Sequence, residues 1–351
     1  MPRENHEVTQ KQKLLDEKGA IAECGWSRKQ LQVYSREDVK APKFRIKEWD
    51  YYLVLGQGFG VAMTISDGGY IGLQSVTLFN FDENWEHTET ILGAIPLGKH
   101  HLPTSSSKGD TRYEDKRLKL SFYIRKRKKV ITRILDCSFE NFYQEKPLSF
   151  HIELLQLPRE SMVIATPWSE KKTAFYYNQK INCMRADGYA VLDGKRYTFH
   201  PQTDFGTLDW GRGVWTYDNT WYWGNGNCTV NGHCIGFNLG YGFGDTSAAT
   251  ENVIIYDGKV HKLEDVIFQI PKDQDGQNDY MKPWKITSSD GRFEMDFVPV
   301  FDRAAKINLC VILTDQHQVF GKMSGKMILD NGTVVYIKDC FCFAEKVHNR
   351  Y

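Results

Sequence analysis

The stretch Asp290-Gly291-Arg292-Phe293-Glu294-Met295-Asp296-Phe297 decides the fold class. Its Asp-Gly pair suits the positive φ of a tight hairpin turn. The residues after it alternate apolar with charged, the period of a half-buried strand. The same punctuation recurs at Asp67-Gly68-Gly69, Asp187-Gly188, Asp193-Gly194, Asp257-Gly258 and, as a variant, Asp330-Asn331-Gly332. Leu118-Lys119-Leu120-Ser121-Phe122-Tyr123-Ile124 repeats the alternation. Helical periodicity is confined to residues 7–18, and residues 300–317 are ambiguous. The expectation is an all-β chain of many short antiparallel strands.

Composition agrees. Aromatic residues make up 13% of the 351 and Gly numbers 29, a bias towards strands and turns. The length fits about two domains. Lys plus Arg is 45 against 44 Asp plus Glu, a net charge of +1. That balance gives no general affinity for nucleic acid or an anionic membrane surface. The polar start Met1-Pro2-Arg3-Glu4-Asn5-His6 lacks the apolar centre of a secretory signal, and no run nears 18 apolar residues. The expectation is a cytoplasmic protein with no stable membrane insertion. Its eight cysteines, with no C-x-x-C pair, are then reduced, and the sequons at Asn227 and Asn331 are chance matches.

Loose repetition runs through the chain. Gly69-Tyr70-Ile71-Gly72-Leu73 resembles His233-Cys234-Ile235-Gly236-Phe237, and Arg117–Phe122 resembles Arg292–Phe297. Gly188–Gly194 resembles Gly325–Gly332. Their common order predicts two similar β domains, 1–204 and 205–351, packed without a Pro/Ser-rich linker.

Chemistry concentrates after residue 208. Asp209-Trp210-Gly211-Arg212-Gly213-Val214-Trp215-Thr216-Tyr217-Asp218-Asn219-Thr220-Trp221-Tyr222-Trp223 holds four of the nine tryptophans. Trp215, Tyr217, Trp221 and Trp223 share parity, so an unbroken strand would place them on one face. Rings with polar tips suit the wall of an apolar pocket. In Gly240-Tyr241-Gly242-Phe243-Gly244-Asp245 the alternate glycines clear one strand face for a ligand or bulky neighbours. Thr250-Glu251-Asn252 then starts a further strand. Asp209, Asp245 and Glu251 are candidate acid–base carboxylates, with Arg212 setting their charge state. Tyr241, Asn252, Trp168 and Trp284 complete the expected ligand-binding set, the last two from Pro-Trp pairs at strand starts. Plain alternatives stand beside these: an aromatic core, and carboxylates that pair with Arg212 or cap loops. The ten histidines show no metal-ligand spacing, no G-x-S-x-G elbow is present, and Arg125-Lys126-Arg127-Lys128-Lys129 is a solvated hairpin end.

On these residues the chain resembles a bacterial family known as domain of unknown function 2804. The resemblance spans nearly the whole chain. It is carried by Gly25-Trp26-Ser27-Arg28, Trp49-Asp50-Tyr51-Tyr52, Pro167-Trp168, Asp209–Gly213, Asn238-Leu239-Gly240, Thr250-Glu251-Asn252, Pro283-Trp284 and His317–Gly325. More distantly it is similar to the tandem lipocalin-like (calycin) proteins that include carotenoid hydratase and tocopherol cyclase. That resemblance implies two antiparallel lipocalin-like barrels. It also implies protonation or cyclisation of an isoprenoid-like substrate without a redox cofactor. The catalytic pattern of those enzymes does not align with this chain residue by residue, so a reaction style is implied and no residue role. Three readings stay open. One is a cofactor-independent hydratase, cyclase or isomerase using Asp209 or Glu251 as proton donor. The others are a non-catalytic carrier of a hydrophobic ligand and a scaffold with a dry aromatic core. The first two require a hollow chamber beside Trp221.

Overall fold

The computed structural model describes residues 4–128, 130–157, 160–309 and 312–350. Lys129 of the basic run and Cys310 lie outside them. The chain is all-β, as the turn punctuation predicts. Among the described residues the only helices are two three-residue 3₁₀ turns, Arg36–Asp38 and Lys43–Arg45. Residues 7–18 form no helix. They hold bridges and turns, with Gln12–Lys13 paired in parallel to Gln32–Val33. Residues 300–309 and 312–317 belong to two long strands, Phe293–Leu309 and Ile312–Ile328.

Two curled antiparallel sheets make the body. The first runs Trp85–Ala94, Ile71–Asn80, Phe59–Asp67, Ile46–Leu55, Phe205–Val214, Lys171–Leu192, Lys146–Gln156, Val130–Tyr143, Leu118–Arg127, Thr111–Glu114. The second runs Lys259–Lys262, Val253–Tyr256, His233–Tyr241, Asp218–Val230, Val334–Arg350, Ile312–Ile328, Phe293–Leu309, Trp284–Ser288, Val266–Gln269. Phe205–Val214 pairs with Ile46–Leu55 on one side and Lys171–Leu192 on the other. The chain therefore leaves the first sheet at residues 215–217, ten residues beyond the expected division at 204/205.

Asp193-Gly194 and Asp257-Gly258 close two-residue hairpins with positive φ at both positions. Asp187-Gly188 does not turn. It lies inside the 22-residue strand Lys171–Leu192, where a Cβ on Gly188 would sit 2.1 Å from the His151 carbonyl oxygen. Glycine serves close backbone approach there. Arg125–Lys128 is exposed at the end of its hairpin.

Strand alternation sorts side chains into three cores. Tyr52, Val54, Leu208 and Trp210 face the core enclosed by the first sheet. Phe237, Leu239, Trp284 and Phe297 fill that of the second. The opposite faces meet in a third, where Leu53, Phe79 and Tyr176 of the first sheet pack on Trp223, Val253, Phe320 and Phe343 of the second. No disulfide joins the described cysteines.

Candidate functional site at the sheet interface

Two of the three candidate acids, Asp209 and Glu251, lie at this third core, between the sheets rather than inside the second one. Asp209 projects from Phe205–Val214, where every residue is buried. Its Oδ1 accepts from Lys180 Nζ at 2.8 Å and from Asn178 Nδ2 at 2.6 Å. Lys180 and Asn178 share one face of Lys171–Leu192 with Tyr176, two residues apart each time. The Lys180 ammonium also lies 3.9 Å from the Trp223 ring centroid, and its side chain is 1% exposed.

Two further carboxyls are buried beside it. Glu251 Oε2 accepts weakly from Asn238 Nδ2 at 3.4 Å, whereas its Oε1 makes no well-formed hydrogen bond. The Tyr176 hydroxyl stands close enough to feel the Glu251 charge, and it too lacks a well-formed partner. Glu345 accepts from Trp221 Nε1 and from Gln318 Nε2, both at 3.1 Å. Burial pushes both glutamates up to about 7, opposed by Lys180 and, for Glu345, first by the Trp221 bond; the Asp209 charge pushes further upward. The Tyr51 and Tyr176 phenols are also driven up, chiefly by burial. Three carboxyls thus share one buried ammonium. Tyr51 Oη, Tyr176 Oη, Asn178 Oδ1, Trp215 Nε1 and Glu251 Oε1 are buried without a well-formed hydrogen bond, although Tyr176 lies beside Glu251 and Tyr51 beside Gln318. Buried polar groups are ordinarily satisfied, so this gathering is the most unusual feature of the interface core.

Trp215, Trp223 and Trp168 are buried in this core, and Trp221 packs against it. Other expectations are corrected. Arg212 is wholly buried but on the far face of the strand from Asp209. There it pairs with Asp50 at 3.0 Å and donates to the Trp49, Gly211 and Pro103 carbonyls. Three residues apart on a strand means opposite faces. Lys180, not Arg212, neutralises Asp209. Asp245 lies in a surface loop, its Oδ1 accepting from Ser247 N. Tyr217 is 45% exposed, because residues 215–217 link the sheets and break the parity. Tyr241 and Trp284 face the second sheet's own core, Tyr241 stacked on Tyr222 at 4.4 Å. Asn252 bonds Gly240 N and the Glu264 carbonyl, a backbone brace.

Of the alternating glycines only Gly240 lies in a strand. A Cβ there would come within 2.1 Å of Glu251 Oε1, so the cleared face holds the carboxyl itself. The strand ends at Tyr241, and Gly242 and Gly244 turn with positive φ. Gly211 makes matching room for the Trp49 indole, whose Cζ2 would lie 2.0 Å from an added Cβ. Gly211→Ala is expected to destabilise the protein by about 1–3 kcal/mol through overpacking, read as a lower urea midpoint at unchanged slope.

The hollow chamber is not seen beside Trp221. The rings touch: Trp215 lies 5.2 Å from Trp221 and 5.7 Å from Trp49, and Tyr176 stacks on Phe243 at 4.7 Å. At the rim, Lys47, Trp215, Thr216, Tyr217, Asn219 and Asn349 line a shallow crevice. The acids, by contrast, are withdrawn from solvent: Glu251 is 3% and Glu345 5% exposed. Among the described residues no group of His, Cys, Asp or Glu is arranged to hold a metal ion, and no helix is long and apolar enough to cross a membrane.

Lys180, Asn178, Tyr176, Tyr51, Gln318 and Glu345 are the site residues that sequence inspection missed. Tyr51 and Gln318 stand in stretches that carry the family resemblance, and for the others the signal is parity. Tyr176-x-Asn178-x-Lys180 and Phe341-x-Phe343-x-Glu345 put polar groups on faces that are otherwise apolar.

Two curled antiparallel sheets in tandem give the chain a tandem lipocalin-like fold. A Nitrosomonas europaea protein described as a putative AttH superposes with a TM-score of 0.51 at 10% identity, over 91% of this chain and 96% of its own. Kievitone hydratase from Nectria haematococca gives 0.49 at 10% identity over 91% and 93%. CghA, solved with Sch210972, gives 0.48 at 11% identity over 87% and 88%. Residues 5–351 match the domain of unknown function DUF2804, and the chain belongs to that family. No curated protein matches the sequence.

Proposed function

We propose that this protein is a cofactor-independent acid–base enzyme of hydratase, cyclase or isomerase type, acting on a hydrophobic, isoprenoid-like small molecule between its two sheets. The observation that carries this reading is Glu251: a fully enclosed carboxyl raised to about 7, with one oxygen that makes no well-formed hydrogen bond and the Tyr176 hydroxyl beside it. A general acid works best with a pKa near the operating pH. Asp209, tied to Lys180 and Asn178, holds the ammonium in place and is not the donor. Tyr176 stands beside Glu251, and Glu345 is the second carboxyl able to take a proton. The faces of Trp221, Trp223 and Tyr51 stabilise positive charge developing on carbon, as Trp223 already does for Lys180. The packed rings are the closed state, and substrate enters by displacing Trp49, Trp215 or Trp221 at the rim. Cytoplasmic residence is part of the same proposal.

The test begins with native mass spectrometry and denaturing extraction of whatever co-purifies. With a substrate in hand, Glu251→Gln is expected to lower turnover about 10²–10⁴-fold while ligand binding persists. Unchanged turnover removes Glu251 from the mechanism. Binding without conversion by the wild type supports a carrier. Failure of any hydrophobic ligand to bind supports a dry structural interface.

A further inference from the structure

The core enclosed by the second sheet holds a pair of thiols that the acid–aromatic site does not use. Asp218–Val230 and Val334–Arg350 are antiparallel neighbours, paired from Asp218↔Arg350 to Gly226↔Cys342. Continued by two residues, that register sets Cys228 directly opposite Cys340. Parity turns both towards the enclosed core: Cys340 and Cys342 belong to it, and Cys228 packs against it. Both are free thiols, and they stand within hydrogen-bonding reach of each other. Directly opposed residues of an antiparallel pair lie about 4.5–5.5 Å apart at Cα, inside the ~4.4–6.8 Å span of a disulfide. Cys342, the next thiol on that face, is set against Gly226 instead.

The two thiols differ in access. Cys340 is 3% exposed, whereas Cys228 is only partly buried. The Cys340 thiol is held well above its ordinary range by its hydrogen bond with Cys228 and by burial. Cys228 is therefore the sulfur that an oxidant from solvent meets first. We infer that Cys228 and Cys340 form a reversible redox pair, with Cys228 the attacking thiol and Cys340 the resolving one. With hydrogen peroxide as oxidant, Cys228 loses its proton and its sulfur attacks one peroxide oxygen. The O–O bond breaks, leaving a sulfenic acid and one water. Cys340 then gives up its proton, its sulfur attacks Cys228 Sγ, and the S–O bond breaks to release a second water. Two thiols and one peroxide become one disulfide and two waters, the sulfurs supplying both electrons. A dithiol reverses the change by exchange. Backbone pairing between the two strands stops at Gly226↔Cys342 although both strands run on, so the bond closes an open fork. The inference rests on no part of the acid–aromatic proposal, whose Trp223 and Glu345 project from the other face of the same strands.

The test exposes the reduced full-length chain to hydrogen peroxide under native conditions, then alkylates it and maps its peptides by mass spectrometry. A Cys228–Cys340 linked peptide is expected, lighter than the two reduced peptides by two hydrogens and lost on adding dithiothreitol. Oxidation is also expected to raise the unfolding temperature, because the bond closes a long loop in the unfolded chain. Cys228→Ser is expected to abolish both effects. Cys340→Ser is expected to leave a Cys228 sulfenic acid that dimedone traps, and Cys342→Ser to form the link as the wild type does. Should Cys340→Ser not fold, the wild-type map and Cys228→Ser decide the matter. The inference is overturned if peroxide leaves Cys228 and Cys340 unlinked in the folded chain, or links Cys228 to Cys342 or another cysteine in preference.

Discussion

Lys180→Met is expected to cost about 3–5 kcal/mol of stability, the scale of breaking a buried ion pair from one side. Methionine is close to lysine in volume, so packing changes little and the loss is electrostatic. Lys180 Nζ is the cation bound by Asp209 at 2.8 Å, and it holds down the pKa of both Glu251 and Glu345. Without it, three carboxyls remain in an apolar core and the glutamates rise further above 7. Asp209→Asn in the Lys180→Met background is expected to recover much of the loss, because the unpaired charge is gone. Urea unfolding of the two singles and the double gives the coupling energy. A Lys180→Met protein within 1 kcal/mol of wild type, or a double mutant no better than the single, would show that the ammonium does not hold this cluster together.

The second large effect is in pH. Glu251 and Glu345 are raised from 4.5 to about 7 by burial, so the folded state retains protons that the unfolded chain releases. Their stabilisation is complete below about pH 4.5, falls as pH rises towards 7 and is flat beyond, since stability declines wherever the native state binds more protons. Each carboxyl taken alone accounts for a fall of up to about 3 kcal/mol, and the pair for less than twice that because they share Lys180 and Asp209. Glutamine imitates the protonated acid. Glu251→Gln and Glu345→Gln are each expected to lose less stability than wild type between pH 5 and 8, and the double variant least. Denaturant titrations at both pH values check it. A double variant with the wild-type pH slope would place both carboxyls in their ordinary range.

Strand type and hairpin positions were legible because they rest on local rules. Alternation after Asp290-Gly291 and the two-residue turns at Asp193-Gly194 and Asp257-Gly258 need only neighbours in sequence. Asn231-Gly232 closes the hairpin between Asp218–Val230 and His233–Tyr241 in the same way, and the pattern was available. The site was half legible. Asp209, Glu251, Trp221 and Trp223 do converge, but parity was carried across residues 215–217, where no strand runs. The three-residue spacing of Asp209 and Arg212 already excluded a shared face. Lys180 and Glu345 escaped notice because their meaning comes from partners on distant strands. A lone Lys on an apolar face looks ordinary until a carboxylate from elsewhere arrives beside it.

Phe205–Val214 fills the gap between Ile46–Leu55 and Lys171–Leu192. A ribosome delivers it last of the three, so the nascent amino-terminal half waits with two unsatisfied ladders facing each other. Those ladders are a template for any extended segment that arrives first. A fragment stopped at residue 204 is expected to self-associate, whereas one ending after Val214 can seal its own seam.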